Sequence, residues 1–179
     1  MKTKSLIFSL LTIMFMMGLL SCATIPKGAV AVQPFEKEKY LGKWFEIARM
    51  DFKFEKNLNN TTATYSVNDN GTIKVDNRGY NTKKEEWVQA TGKAKFVENE
   101  NVAKLKVSFF EPFYSGYNVI AIDKGYQYAL VAGKSLKYLW ILSREKEIPA
   151  DTKEKYLKIA EDIGYETSDL LWVEHDKIK

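Results

Sequence analysis

The sequence predicts an all-β domain, an antiparallel sandwich or a closed barrel, followed by one C-terminal helix. Three observations carry this reading. Between Leu41 and Ser143 the chain breaks into short runs rich in Val, Ile, Thr, Tyr, Phe and Trp, separated by turn residues. About eight such runs follow one another through short connections, the pattern of a sandwich or barrel. After them, Pro149 to Ile163 has apolar residues at helical spacing.

The runs are Trp44 to Met50, Thr61 to Val67, Thr72 to Tyr80, Glu86 to Phe96, Val102 to Phe110, Tyr117 to Asp123, Tyr126 to Ala132 and Lys137 to Ser143. Asn68-Asp69-Asn70-Gly71 is a strong hairpin signal between the second and third. In the helix, Tyr156, Ile159, Ala160 and Ile163 make one apolar face. Asp151 and Glu154 suggest a capping box, and Gly164 is placed to end the helix. A last short strand is expected at Leu170 to Glu174.

Lys137-Tyr-Leu-Trp-Ile-Leu-Ser143 is apolar on both faces, so it needs two covers. The helix supplies one and a barrel interior the other. By alternation Tyr138, Trp140 and Leu142 share a face, as do Tyr117, Val119 and Ala121, and Tyr126, Tyr128, Leu130 and Ala132. If these aromatics point inward, they line either a packed core or a cavity, and an eight-stranded barrel allows both. Glu46 shares the parity of Trp44, and buried there it would need a partner. Asn57 to Asn60 could rim an open end.

The first residues are of another kind. Lys2 and Lys4 precede an uncharged run from Ser5 to Leu20, the layout of a secretory signal. The run is short of the roughly 20 residues that span a bilayer comfortably. It ends in Leu19-Leu20-Ser21-Cys22, which resembles the bacterial lipoprotein box. That resemblance implies cleavage before Cys22 and acylation of Cys22, with membrane attachment through the lipid. Ala23, where enterobacterial lipoproteins kept in the inner membrane tend to carry Asp, implies the outer membrane. The chain thus divides into a signal at 1–21, an acylated Cys and spacer tether at 22–33, and a domain at 34–179.

Composition excludes several function classes. The chain has 179 residues, one Cys and one His. It can hold no internal disulfide, and no metal or other cofactor is expected. Losing Lys2 and Lys4 halves the formal net charge of +4, which leaves no electrostatic case for nucleic acid. No nucleophile elbow, zinc-protease motif or phosphate loop occurs, so the chain is not expected to be an enzyme. His175 is expected in an exposed tail.

Specific residues then narrow the fold. Gly42-Lys-Trp44 opens the first strand, Tyr117 to Asp123 and Tyr128 to Val131 occupy a middle position, and Leu139-Trp-Ile-Leu-Ser-Arg144 closes the last strand. In this order they resemble the three motifs of the lipocalin family. The middle motif departs from the usual Thr-Asp-Tyr: Asp123 is kept, flanked by Ile122 and Lys124. Asn77-Arg-Gly-Tyr-Asn81, Lys106-Val-Ser-Phe-Phe110 and Pro112-Phe-Tyr114 resemble the bacterial outer-membrane branch, of which apolipoprotein D is an animal relative.

The resemblance implies an eight-stranded up-and-down lipocalin barrel with the helix packed outside, open at one end around a cup for a small lipophilic ligand. It implies lysophospholipid or fatty acid as that ligand. It also implies that Arg144 stacks on Trp44 and closes the barrel's bottom, so Gly42, Trp44 and Arg144 are structural. The expected pocket residues are Trp140, Tyr138 and Leu142, then Tyr128 and Tyr117. A packed barrel serving as an envelope structural protein, and a carrier of another hydrophobic ligand such as haem, are the alternatives. An exposed patch at Phe113-Tyr114 near the mouth would favour a homodimer.

Overall fold

The computed structural model describes residues 24–177, so the signal at 1–21 and Cys22 lie outside the described residues. A short helix α1 (Lys37–Tyr40) leads into eight antiparallel strands. These are β1 (Gly42–Met50), β2 (Leu58–Val67), β3 (Ile73–Asn81), β4 (Glu86–Phe96), β5 (Lys104–Phe110), β6 (Phe113–Ile122), β7 (Tyr128–Ala132) and β8 (Leu139–Ser143). Each pairs with the next, and β1 pairs with both β8 and β2, so the sheet closes on itself. Closure leaves these eight strands no free edge. Helix α2 (Ala150–Ile163) follows, then β9 (Leu170–Trp172), which adds to the far end of β1.

Two apolar layers hold the fold. The inner one fills the lower barrel around Phe35, Tyr40, Trp44, Val119 and Val131. The outer one lies between the wall and α2, with Leu130, Leu139, Ile141, Tyr156 and Ala160. Tyr156 donates to the Tyr128 carbonyl at 2.8 Å and Tyr165 to that of Tyr138 at 3.1 Å, fixing the helix on β7 and β8. Strand β8 is thus covered on both sides, as its composition required.

Several local expectations are corrected. Pro149 takes the N-cap position of α2 without a side-chain hydrogen bond, and Asp151 bonds only its neighbour Thr152 at 2.6 Å, so no capping box forms. Gly164 does end the helix, at φ 106°. Strand β6 starts at Phe113 rather than Tyr117, because the β5–β6 hairpin turns tightly. Within residues 24–33, the Val32 amide donates to Val119 and the Val32 carbonyl accepts from Ala103, both at 2.9 Å. The Thr24 carbonyl accepts from the buried Asn118 side chain at 2.8 Å.

Candidate ligand-binding site

The lower end of the barrel is shut by Arg144. Its guanidinium lies 3.8 Å over the Trp44 ring. It donates to the carbonyls of Lys43 (2.7 Å), Lys39 (2.8 Å), Leu41 (2.9 Å) and Tyr40 (3.2 Å), and its Nε to Tyr126 (3.3 Å). These carbonyls belong to the turn into β1 and to the β6–β7 turn, so one side chain ties three segments together. Gly42 has φ +93°, which strains any L side chain, and a Cβ there would touch the guanidinium at 3.4 Å. The Trp44 indole donates to the Tyr40 carbonyl at 2.8 Å and is fully buried.

Above this floor the barrel is hollow. A cavity of about 820 Å³ reaches from Phe35 and Tyr40 to the opposite end, where Phe54, Phe110 and Phe113 stand exposed. The size is that of a small-ligand pocket. Its wall is mostly apolar, with Ile73, Val75, Leu105, Val107 and Leu142. Small residues such as Ala63, Ala90 and Ala94 leave the space open. Near the floor Tyr117 shares hydrogen bonds with the hydroxyls of Tyr40 (2.6 Å) and Tyr65 (2.8 Å). Burial raises all three phenols, so they stay neutral and satisfy one another.

The upper third is polar. A bulge in β1 between Glu46 and Ala48 turns Ile47 and Ala48 outward and brings Arg49 back to the inner face. Arg49 then meets Glu46 at 2.6 Å, and Thr61 donates to the same Glu46 oxygen at 3.1 Å. The guanidinium also donates to the carbonyls of Glu55 and Leu58, each at 2.8 Å, pinning the β1–β2 loop over the mouth. Glu55 lies 3.7 Å from Arg49 Nε and accepts from the Trp140 indole at 3.2 Å. Phe52 sets its edge against Tyr138 and Trp140, with ring centres at 5.4 and 5.6 Å.

Two buried carboxylates thus share one guanidinium. Burial raises Glu46, against the pull of Arg49 and Thr61. Burial and then the charge of Glu46 push Glu55 up to about 8, with Arg49 and Trp140 opposing. Glu46 holds the close contact to Arg49, so Glu55 keeps its proton near neutral pH and titrates at the mouth.

Of the sequence-derived pocket residues, Trp140, Tyr138, Leu142 and Tyr117 line the cavity. Tyr128 does not: it belongs to the outer layer with Leu130 and Ala132, while Ala129 and Val131 face inward. Tyr126, its expected face-mate, sits in the preceding turn at φ 55° and packs inside, its hydroxyl accepting from the Glu36 amide at 2.8 Å. A bulge in β6 likewise sends Ala121 outward while Tyr117 and Val119 stay inside. His175 is not in an exposed tail. It is half-buried beside Phe45, its Nε2 is 2.8 Å from the Glu46 carbonyl, and burial lowers its pKa.

Arg49 and Glu55 were not singled out from the sequence. The signal for Arg49 was the unpaired inward Glu46, but only the bulge makes i and i+3 of a strand face the same way.

A lipocalin-like domain family matches residues 35–175, and the chain belongs to that family. It is 49% identical over 162 residues to the outer membrane lipoprotein Blc of Citrobacter freundii, covering 90% of this chain and 92% of that protein. It is 46% identical over 163 residues to the protein of the same name from Escherichia coli strain K12, covering 91% and 92%. The structure of insecticyanin from the tobacco hornworm Manduca sexta superposes with a TM-score of 0.66 at 18% identity, covering 84% of this chain and 86% of that one, which shows the shared fold. The chain is a lipocalin-type binder of hydrophobic ligands and not an enzyme.

Proposed function

We propose that the protein takes the acyl chain of a lysophospholipid or fatty acid into its cup, and stores or carries it at the bacterial outer membrane. The observation that carries this reading is the cavity of about 820 Å³, apolar along its wall and polar at its mouth. An acyl chain moved from water into it gains about 0.8 kcal/mol per buried CH₂, several kcal/mol in all before the costs of ordering. The head group would lie beside Glu55 and Trp140. Glu55 in its protonated form donates to a carbonyl or phosphate oxygen; ionised, it faces an ammonium. Acylation of Cys22 would supply the anchor, which the relatives' name and the Leu-Leu-Ser-Cys22 box both support.

The hollow interior speaks against the packed-barrel alternative, and the sole His is on the outer wall, away from the cup. The test uses residues 22–179 with Cys22→Ser. Every described strand and both apolar layers lie within this piece. Native mass spectrometry with organic extraction identifies what co-purifies. Titration with lysophosphatidylethanolamine and with palmitate then follows tryptophan fluorescence, with Trp140→Phe as control. Saturable quenching that shrinks in the control is expected. No bound lipid and no saturation by either acyl compound would refute the reading.

A further inference from the structure

Six tyrosine hydroxyls inside this fold divide into two kinds. Tyr126 accepts from the Glu36 amide, Tyr156 donates to the Tyr128 carbonyl and Tyr165 to the Tyr138 carbonyl. Each of these ties one element to the backbone of another. Tyr40, Tyr65 and Tyr117 tie nothing to the backbone. Among the described residues their hydroxyls meet only one another, with Tyr117 in the middle. They come from three separate elements, α1, β2 and β6, and converge on the deep end of the cavity. Tyr40 and Tyr65 are only 5 and 7% exposed, and Tyr117 packs against the same inner layer. Phenylalanine would fill this volume without the cost of taking a hydroxyl out of water. Volume alone therefore does not explain three phenols at one place in an apolar wall.

The hydrogens do not balance. Three hydroxyls carry three hydrogens, and the two contacts of 2.6 and 2.8 Å use two of them. One O–H is left without an acceptor. Reversing the direction of either bond moves that hydrogen to another of the three oxygens and never removes it. Solvent takes it in the free protein. A saturated chain that fills the cup and displaces the solvent leaves it buried and unpaired, which is unfavourable. A ligand with an oxygen at this depth pairs it.

The surroundings say which oxygen. Arg144 lies beyond Trp44 with its donors on backbone carbonyls, and Lys37 pairs with Glu100 at 2.7 Å. One neutral donor without a free cation is a poor seat for a carboxylate, which accepts several bonds. It suits a hydroxyl or a ketone, and a ligand hydroxyl can donate back to a tyrosine lone pair. Tyr65 is seven residues from Leu58 at the mouth, roughly 23 Å along β2 before the tilt of the strand. A sixteen-carbon chain held by its head at the mouth brings its last carbons to this level.

We propose that Tyr40, Tyr65 and Tyr117 form a second polar subsite, which takes a hydroxyl or ketone oxygen carried at the far end of an acyl chain. This rests on the acyl-chain reading above and adds what the chain carries. A site built to bond an oxygen discriminates against the analogue that lacks it, because its own polar groups are then left unpaired.

The experiment uses residues 22–179 with Cys22→Ser and compares palmitate with ω-hydroxypalmitate by tryptophan fluorescence. The parent domain should bind the hydroxylated chain at least as tightly as palmitate, although its hydroxyl must leave water. In Tyr40→Phe/Tyr65→Phe/Tyr117→Phe the ratio of the two dissociation constants should move about fivefold or more against the hydroxylated chain. Palmitate itself should bind that variant as tightly as before or tighter. Tyr156→Phe, in the outer layer, should leave the ratio unchanged. A second measurement needs no variant. An acyl chain with a carbon-13 ketone at its penultimate carbon, bound to the parent domain, should absorb in the infrared below its position in alkane.

Weaker binding of ω-hydroxypalmitate than of palmitate by the parent domain would overturn the proposal. So would a smaller shift of the ratio in the folded triple variant, or a bound ketone band at its alkane position. Equal loss of both ligands in that variant would put the carboxyl on the tyrosines and overturn it as well. Palmitate binding by the parent domain keeps the acyl-chain reading through all of these results, whereas binding of neither compound would refute both.

Discussion

The closed and open ends of the barrel use similar materials to opposite ends. Each has a tryptophan, an arginine and a cluster of rings. At the closed end Arg144 spends its donors on five backbone carbonyls and sits over the Trp44 ring, and the rings of Phe35, Tyr40 and Tyr126 fill the space. At the open end Arg49 is shared between two carboxylates and two carbonyls, Trp140 bonds one of those carboxylates, and three phenylalanines face outward. Stability is gathered where the arginine's donors are met by carbonyls and rings fill the space. Capacity for a ligand is gathered where space remains and a buried charge is undersupplied.

The comparison can be broken most strongly at Trp44. Trp44→Ala empties the most buried part of the floor and should cost about 4 kcal/mol of unfolding free energy, read by denaturant titration. Arg144→Ala should cost about 2 to 3 kcal/mol, since the bonds of one charged donor are not additive. Arg144→Lys should recover less than half of that, because a compact ammonium cannot span three segments. At the other end Trp140→Ala should weaken acyl-chain binding about tenfold, roughly 1.4 kcal/mol, with a smaller loss of stability than Trp44→Ala.

Glu55 sharpens the contrast through pH. Its folded pKa of about 8 is above the ordinary carboxylate value, so the folded state binds the extra proton. Stability from this group is complete at low pH and is lost as pH rises from near 4.5 through 8. Glu55→Gln should therefore flatten the fall in stability between pH 5 and 9, by roughly 2 kcal/mol, in melts taken across that range.

Much of this was legible in the sequence. Strand-forming composition and turn residues left a sandwich or a barrel open, and the lipocalin resemblance chose the barrel and marked Gly42, Trp44 and Arg144 as its floor. Alternation placed Trp140 and Leu142 inside correctly, because β8 is regular. It failed for Tyr128, because the positive φ at Tyr126 resets the phase before β7 begins. It failed again for Ala121, because a bulge in β6 inserts a residue, and a bulge in β1 likewise puts Ala48 outside and Arg49 inside. A one-residue insertion moves every later side chain to the opposite face, and nothing in residue type announces it. The buried Arg49–Glu46–Glu55 cluster was hidden for that reason.

The most direct measurement is the melting temperature of residues 22–179 carrying Cys22→Ser, with and without lysophosphatidylethanolamine, in Arg144→Ala and Trp140→Ala. The division between a structural floor and a binding mouth predicts that Arg144→Ala melts lower yet keeps its ligand-induced rise. It predicts that Trp140→Ala melts closer to the parent domain and loses most of that rise. The reverse pattern, with the rise lost in Arg144→Ala and kept in Trp140→Ala, would contradict it.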